Sequence, residues 1–301
     1  MKKLKSLEII LFLFIYLKFI QIDKLKVCLC TIGKLENLYV REYVSHYIKY
    51  GVDKIFIYDN NDLNGERFEN VINDYIEDDI VEVINYRGLI KPQLKAYQQC
   101  LNFNYNKYNW LIFYDMDEFI FLKNFSNIKS YLSQERFNKC DSVQLIMVFH
   151  NDNDLLYYDN RTIFERFNNT MKNNKVAAFK TILKGNIKTK ISCVHNINYK
   201  LKSCNGFGEL NNKEKFSIFS KKPDNIFYYI DHFCFKSTEE FINKLNRGSA
   251  FYGKANNIKL KKIGWYFGVN KITSNKIDYL EKKTNVNLTM YRNKISKVLL
   301  L

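Results

Sequence analysis

The sequence predicts an α/β domain in which a central, mostly parallel sheet is flanked by helices. Between residues 26 and 150, short apolar runs alternate with amphipathic stretches of helix length. Strand–helix–strand repetition of this kind implies parallel strands joined by right-handed crossovers. The 301 residues are 47% hydrophobic and 16% aromatic, so the chain can bury a large core and is not intrinsically disordered.

Four strands and three helices are predicted before residue 114. In the first helix Val40, Tyr43, Val44 and Tyr47 share one face, and Gly51 marks its end. The predicted strands are Lys26–Ile32, Lys54–Tyr58, Ile80–Ile84 and Trp110–Phe113, and the predicted helices are Asn37–Tyr50, Glu66–Ile76 and Gln93–Asn102.

Later elements are more widely spaced, and the last 48 residues (254–301) are Lys-rich with mixed periodicity that predicts no element. We therefore expect an N-terminal hydrophobic segment (1–25), one α/β domain (26–250) and a C-terminal extension (251–301). The later predicted elements are the strands Ser142–Phe149, Val176–Leu183 and Ile226–Cys234 and the helix Thr238–Arg247.

The amino terminus differs from the rest of the chain. Lys2, Lys3 and Lys5 precede the apolar run Ile9–Leu17, as in a signal sequence or signal anchor. The run is short for a spanning helix and no small-residue cleavage site follows it, so an interfacial helix and an ordinary first core helix are alternatives. We predict membrane association through residues 1–25, with the cytoplasmic or lumenal side left open.

The formal net charge of +16 suits an anionic partner, but nucleic acid is not predicted. The charge is scattered and no nucleic-acid motif accompanies it, while the abundance of Lys, Asn and Ile with only 2 Pro is typical of a codon-composition bias. The seven cysteines are also scattered, with no C-x-x-C pair. Buried thiols in a reducing compartment are the interpretation that this spacing favours.

An acidic cluster, Asp115, Asp117 and Glu118, directly follows the apolar run Trp110–Phe113. Burying such charges is costly unless a partner neutralises them. Mg²⁺ and Mn²⁺ prefer oxygen ligands, and ligands of open α/β sheets bind outside the carboxyl ends of the strands. The cluster therefore predicts a divalent-cation site. An acidic turn that faces water is the simpler alternative, because this pattern also recurs by chance.

Further sequence blocks accompany the acidic cluster. They are Cys30-Thr31-Ile32-x-Lys34-x-Glu36-Asn37, Glu42-Tyr43-Val44-x-His46-Tyr47, Gly51-Val52-Asp53-Lys54-Ile55-x-Ile57-Tyr58-Asp59-Asn60, Tyr114-Asp115-Met116-Asp117-Glu118-Phe119 and Asp231-His232-Phe233-x-x-Lys236-Ser237-x-Glu239-Glu240-Phe241. In this order, from about Lys26 to Gly248, they resemble the family-2-like and family-92 glycosyltransferases. The resemblance implies a GT-A fold, a nucleotide-sugar donor and a divalent metal that bridges the donor diphosphate.

The resemblance implies three metal ligands, Asp115, Asp117 and His232. His232 ends an apolar run and is a third ligand in many GT-A enzymes, although a single His is more often structural. The expected cofactor is Mn²⁺ or Mg²⁺, which acts as a Lewis acid on the leaving diphosphate. The donor expected from the resemblance is a UDP-hexose. Its predicted contacts are Thr31, Lys34, Glu36, Asp59, Asn60, Gln93 and Met116.

An inverting reaction, which the resemblance suggests, needs a base that deprotonates the acceptor hydroxyl. Asp152 and Asp154 follow the predicted strand Ser142–Phe149 and are the first candidates, and Glu118 is the third. A Ca²⁺ loop around Asp152 is excluded, because the glycine at its sharp turn and the distal Glu are missing. Arg161 and Arg166 are expected to contact the diphosphate or an anionic acceptor.

Together these features predict a metal-dependent, inverting hexosyltransferase whose acceptor is a glycan or glycolipid. A haloacid-dehalogenase-type phosphatase also carries D-x-D after a buried strand, but usually has Thr or Val where this chain has Phe119. A homologue that binds carbohydrate without turnover is the non-enzymatic alternative.

Overall fold

The computed structural model describes residues 24–170, 176–211, 219–221, 226–248 and 256–298. Nearly all of the predicted membrane segment (1–25) lies outside these ranges. None of the helices within them is both long and apolar enough to cross a bilayer.

The described strands form one sheet in the order β3-β2-β1-β4-β7-β6-β10-β5, with β8 beside β6 and β9 beside β7. Their bounds are β1 Val27–Gly33, β2 Lys54–Asp59, β3 Val81–Asn85, β4 Trp110–Phe113, β5 Glu118–Leu122, β6 Ser142–Phe149, β7 Val176–Lys184, β8 Ser203–Asn205, β9 Phe219–Lys221 and β10 Tyr228–His232.

The main sheet is mostly parallel, as predicted. β3, β2, β1 and β4 run in one direction, and β6 and β10 share it, whereas β7 between β4 and β6 and β5 at the edge are antiparallel to their neighbours. The carboxyl ends of these parallel strands therefore meet at one edge of the sheet, where ligands bind in this class of fold.

Helices cover both faces of the sheet and continue beyond its last strand. Their bounds are α1 Asn37–Lys49, α2 Glu69–Glu77, α3 Gln93–Asn104, α4 Ile128–Leu132, α5 Ile163–Arg166, α6 Thr238–Arg247, α7 Asn256–Val269, α8 Ser274–Thr284 and α9 Thr289–Val298. The predicted strands and helices are confirmed to within a few residues at their ends. The strands β5, β8 and β9 and the helices α4, α5 and α7–α9 were not predicted.

Two apolar cores lie against the sheet and a third joins the C-terminal helices. The largest includes the predicted buried face of α1, which also contributes Tyr39. A second packs α3 against β1 and β4. In the third, Phe241 and Leu245 of α6 pack with Ile263 and Tyr266 of α7 and Ile277 of α8. The C-terminal helices are thereby attached to the helix that follows β10.

Four of the seven cysteines form disulfides, which corrects the expectation of buried thiols. Cys30–Cys100 joins β1 to α3 with a Cα separation of 6.2 Å, and Cys140–Cys204 joins the segment before β6 to β8 with a Cα separation of 5.8 Å. Neither pair could be recognised from the sequence, because 70 and 64 residues separate the partners and only the fold brings them together. Cys28, Cys193 and Cys234 are free thiols.

Candidate active site

A cavity of about 740 Å³ opens at the carboxyl edge of the parallel strands. Its walls come from the ends of β1 and β2, the loop after β3, the acidic turn after β4, and helices α6 and α7. Gly33, at the end of β1, has no room for a Cβ atom because Met116 packs against it. The glycine thus lets the acidic turn approach the first strand closely.

Asp115 is held in place by three neighbours. Its Oδ1 accepts hydrogen bonds from Gln93 Nε2 at 2.7 Å and from the Tyr97 hydroxyl at 2.8 Å, both on α3. Its Oδ2 lies 2.8 Å from Nζ of Lys180, a β7 residue whose side chain is 0% exposed. Burial alone would raise the pKa of Asp115, but the charge of Lys180 outweighs it and keeps the pKa below its usual value. Asp115 is therefore a fixed carboxylate at the pocket wall.

Glu118 supports this arrangement from within the fold. Its Oε2 accepts a hydrogen bond from the Asp115 backbone amide at 2.9 Å, and its Oε1 lies 3.2 Å from Lys180 Nζ. Burial, together with the neighbouring carboxylates of Asp115 and Asp117, raises the pKa of Glu118 well above its usual value. The buried ammonium of Lys180 is thus the ion-pair partner of both Asp115 and Glu118.

Asp117 faces the opposite wall of the cavity. Its Oδ2 is ion-paired with Lys244 of α6, and its Oδ1 lies 3.6 Å from Nε2 of His232 at the end of β10. Burial alone would raise the pKa of Asp117, but the charge of Lys244 holds it well below its usual value. Burial lowers the pKa of His232, so its ring is neutral and has a lone pair for a ligand.

The donor set fits a divalent cation. One potential ligand atom from each of Asp117, Glu118 and His232 lies within 4.8 Å of the others. The 3.6 Å between Asp117 and His232 is too long for a hydrogen bond, and buried His232 Nδ1 has no hydrogen-bond partner among the described residues. Carboxylate oxygen and imidazole nitrogen are ligands of Mn²⁺-type ions. Asp115, although predicted as a ligand, is instead held by Gln93, Tyr97 and Lys180.

Most of the predicted donor-binding residues line the cavity. They are Lys34, Glu36, Asn60, Gln93 and Met116. Asn60 donates hydrogen bonds of 2.9 Å to the carbonyls of Tyr86 and Leu89 and so shapes the loop after β3.

Two predicted donor contacts lie behind the cavity wall, which corrects their assignment. Thr31 is buried in β1 and does not line the cavity. Asp59 is buried against Arg87, and its Oδ1 accepts from the backbone and side-chain amides of Asn61 at 2.8 and 2.7 Å. Both side chains point into packed regions, so they stabilise the strand ends and do not reach a ligand.

Asp152 and Asp154 do not reach the cavity either, and the geometry does not support them as the base. Asp152 is 1% exposed, lies 2.8 Å from Lys276 Nζ and accepts a hydrogen bond from the Tyr266 hydroxyl. Asp154 pairs with the same lysine at 2.9 Å. These carboxylates attach α7 and α8 to the loop after β6. Lys276 is the ion-pair partner of both, so neither contacts a ligand in the cavity.

The two predicted arginine contacts are also corrected. Arg166 is buried in an ion pair with Glu240, and its Nη1 donates to the Tyr39 hydroxyl at 2.7 Å. Arg161 pairs with its neighbour Asp159 at 2.6 Å on the surface. The cations that line the cavity come instead from other segments, principally α6 and α7.

Several site residues were missed by sequence reasoning: His195, Lys244, Lys262 and Trp265 line the cavity, and Lys180 is buried behind its wall. His195 lines the cavity, and its Nδ1 donates to the Phe179 carbonyl at 3.0 Å. Its Nε2 has no partner among the described residues. Burial, aided by the charge of Lys180, lowers the pKa of His195 to about 4. Of these residues only Lys180 had a recognisable signal in the sequence, because it is a lysine within a largely apolar predicted strand.

Two solved structures of one bacterial protein align with most of this chain at low sequence identity. Staphylococcus aureus TarS (residues 1–349) in complex with UDP aligns at 10% identity over 81% of this chain and 71% of its own, with a TM-score of 0.38. The same protein with UDP-GlcNAc aligns at 10% identity over 86% and 79%, again with a TM-score of 0.38. A search of curated protein sequences found no significant match.

The sequence profile of glycosyltransferase family 92 matches residues 23–200, which is more than half of the chain. The matched region contains the first strands of the sheet, the acidic turn and Lys180. This match does not support the alternative that the chain is a haloacid-dehalogenase-type phosphatase. The mixed sheet, the acidic turn at its carboxyl edge and this match agree on the GT-A class of fold, and the chain belongs to glycosyltransferase family 92.

Proposed function

We propose that this glycosyltransferase moves a hexose from a nucleoside diphosphate sugar, with UDP-hexose the first donor to test, to a glycan or glycolipid acceptor with inversion, and that it needs Mn²⁺ or Mg²⁺. The convergence of Asp117, Glu118 and His232 at the cavity is the observation that carries the metal requirement. Transfer from such a donor requires charge neutralisation of the leaving diphosphate, which a bound cation would supply.

The protein groups around the acidic turn have distinct parts in this proposal. Gln93, Tyr97 and Lys180 fix Asp115 as an ionised wall of the donor site. Asp117 and His232 would hold the cation, with Glu118 supporting the turn from behind. Preorganised charge of this kind needs little rearrangement when the leaving group develops its charge.

A donor screen tests the proposal directly. The full chain is incubated with UDP- and GDP-hexoses in Mn²⁺, and the released nucleoside diphosphate is measured with and without chelator. We expect turnover of at least one donor, abolished by chelation and restored by added Mn²⁺. Carbohydrate binding with no turnover of any donor would instead favour an inactive homologue, and full turnover in excess chelator would contradict the metal requirement.

We further propose His195 as the base that deprotonates the acceptor hydroxyl. Each carboxylate among the described lining residues lies in an ion pair, whereas the His195 ring is neutral near pH 7 and presents an uncommitted Nε2. The carbonyl of Phe179 can only accept, so it fixes the proton on Nδ1 and the lone pair on Nε2.

His195→Gln should lower transfer by about 10²–10⁴-fold while UDP affinity stays close to that of the wild type, because a base acts on the acceptor and not on the donor. The measurements are initial transfer rates and UDP titration calorimetry. His46→Gln is the matched control, since His46 is also a neutral, partly buried ring but lies outside the cavity. Wild-type transfer by His195→Gln would place the base elsewhere.

For localisation, we propose that residues 1–25 attach the protein to a membrane and that the domain lies on its oxidising side. The two disulfides support the second part, because such bonds persist mainly in oxidising compartments. The basic and apolar amino terminus supports the first.

The full chain should therefore sediment with membranes, and deletion of residues 1–24 should release a folded, active domain. Under denaturing conditions without reductant, a maleimide should label three thiols in both proteins, and all seven after reduction. An unfolded truncation product would show that the segment is a core helix. Seven labelled thiols without reductant would contradict the oxidising location.

A further inference from the structure

Three cationic side chains lie together on one wall of the cavity. Lys244 and Arg247 are three residues apart on α6, and Lys262 projects from α7. Burial, together with the positive charges of Lys244 and Arg247, lowers the pKa of Lys262 to about 8. The three side chains are thus close enough to repel one another.

Only two of these cations are compensated within the described part of the fold. Lys244 pairs with Asp117 and donates to the Cys234 carbonyl at 3.0 Å. Arg247 pairs with Glu36 at 2.7 Å and also donates to the Lys34 carbonyl. Lys262, by contrast, is partly buried and has neither an ion pair nor a hydrogen bond to any described residue. A fold that gathers like charges and leaves one of them unpaired is suited to binding an anion.

The charge balance of the cavity indicates how large that anionic charge is. The described lining residues carry equal numbers of cations and carboxylates: Lys34, Lys91, Lys244, Arg247 and Lys262 against Glu36, Asp62, Asp115, Asp117 and Glu118. The buried ammonium of Lys180 also pairs with Asp115 and Glu118 from behind the lining, so a divalent cation at Asp117 and His232 would leave the site with an excess of about three positive charges. A diphosphate diester, which carries about two negative charges, would offset most of this excess.

We propose that Lys244, Arg247 and Lys262 bind the diphosphate of the donor, and that Lys262 is the cation reserved for it. This assignment rests on the proposed nucleotide-sugar donor. Lys244 is paired with Asp117 in the free protein, so a divalent cation held by Asp117 would free the Lys244 ammonium for a phosphate contact. Both lysines thereby contribute to phosphate binding from helices that lie outside the profile match.

The proposal is tested by titrating the full chain, in Mn²⁺, with UDP, uridine and inorganic pyrophosphate. Lys262→Met should weaken UDP and pyrophosphate binding by about 10–100-fold and leave uridine binding unchanged, because a charge-assisted contact is lost and the nucleoside contacts are kept. Lys262→Arg should recover most of the lost affinity. Lys261→Met is the matched control, because Lys261 is the exposed neighbour of Lys262 and does not line the cavity.

Fluorescence gives an independent measurement. The chain has 2 tryptophans; Trp265 lies at the cavity one helical turn from Lys262, while Trp110 is buried in the main core at 3% exposure. Pyrophosphate should therefore change the emission of the wild type, and at the same concentration should change that of Lys262→Met much less.

The outcomes separate the two proposals. If wild-type protein binds UDP no better than uridine, the proposed nucleotide-sugar donor fails and this assignment fails with it. If wild-type protein prefers UDP but Lys262→Met binds it equally well, only the assignment of Lys262 is overturned. Equal weakening of uridine and UDP in Lys262→Met would also overturn it, since that result indicates a distorted pocket and not a lost phosphate contact.

Discussion

Asp117→Asn is expected to lower transfer by about 10²–10⁴-fold and to abolish Mn²⁺-dependent UDP binding. Asp117 is the carboxylate that faces both His232 and the cavity, so its loss removes a ligand from the proposed cation site. Asparagine keeps the shape of the side chain and a hydrogen-bond acceptor for Lys244, so the fold should survive. Initial transfer rates and Mn²⁺ binding followed by electron paramagnetic resonance measure the two effects.

The control for this variant is Asp74→Asn, the same change at an exposed carboxylate that pairs with Arg41 on the surface. It should transfer at the wild-type rate, because exposed pairs contribute little to stability and Asp74 lies outside the cavity. If Asp117→Asn binds Mn²⁺ and UDP as the wild type does, the cation lies elsewhere or is not required.

The regular elements were predictable because the signals that specify them are local. The buried face of an element can be predicted from its own residues, independently of the rest of the chain. Examples are the apolar run Trp110–Phe113 and the spacing of Val40, Tyr43 and Tyr47 on α1. β5 was missed because it begins with Glu118, a buried carboxylate that interrupts the apolar pattern. Its charge is offset by Lys180, a residue far along the chain.

The acidic turn was identified from its sequence, but the residues that complete the site were not. Lys244 reaches Asp117 from a position 127 residues later, and the partners of Asp152 come from α7 and α8, a region whose periodicity predicted no element. Closeness to a strand end suggested that Asp152 points into the cleft. The orientation of a loop side chain depends on the partner that the fold places beside it. For Asp152 that partner is Lys276.

The largest expected loss of stability comes from Lys180→Met. Lys180 is the buried cation between Asp115 and Glu118, and its removal leaves two carboxylates without their shared partner. Breaking a buried ion pair in this way typically costs about 3–5 kcal/mol of unfolding free energy. Urea denaturation measures the loss, and Lys188→Met, at an exposed position in the following loop, should change stability by less than about 0.5 kcal/mol.

A compensating variant and the pH dependence distinguish this mechanism from a simple packing defect. In Lys180→Met the folded-state pKa of Asp115 should rise from its lowered value to above that of the unfolded chain, and the folded-state pKa of Glu118, which is already raised, should rise further. The folded state then binds more protons, so stability is retained at low pH and lost as pH rises through the raised pKa values. The loss of unfolding free energy in the variant should therefore be smaller at about pH 4.5 than at pH 7.

Adding Glu118→Gln should restore part of the stability at pH 7, because it removes one of the two unpaired charges. A deficit that is independent of pH and unaffected by Glu118→Gln would show that Lys180 matters for its packed volume, and that the charge on Asp115 is set by Gln93 and Tyr97 alone.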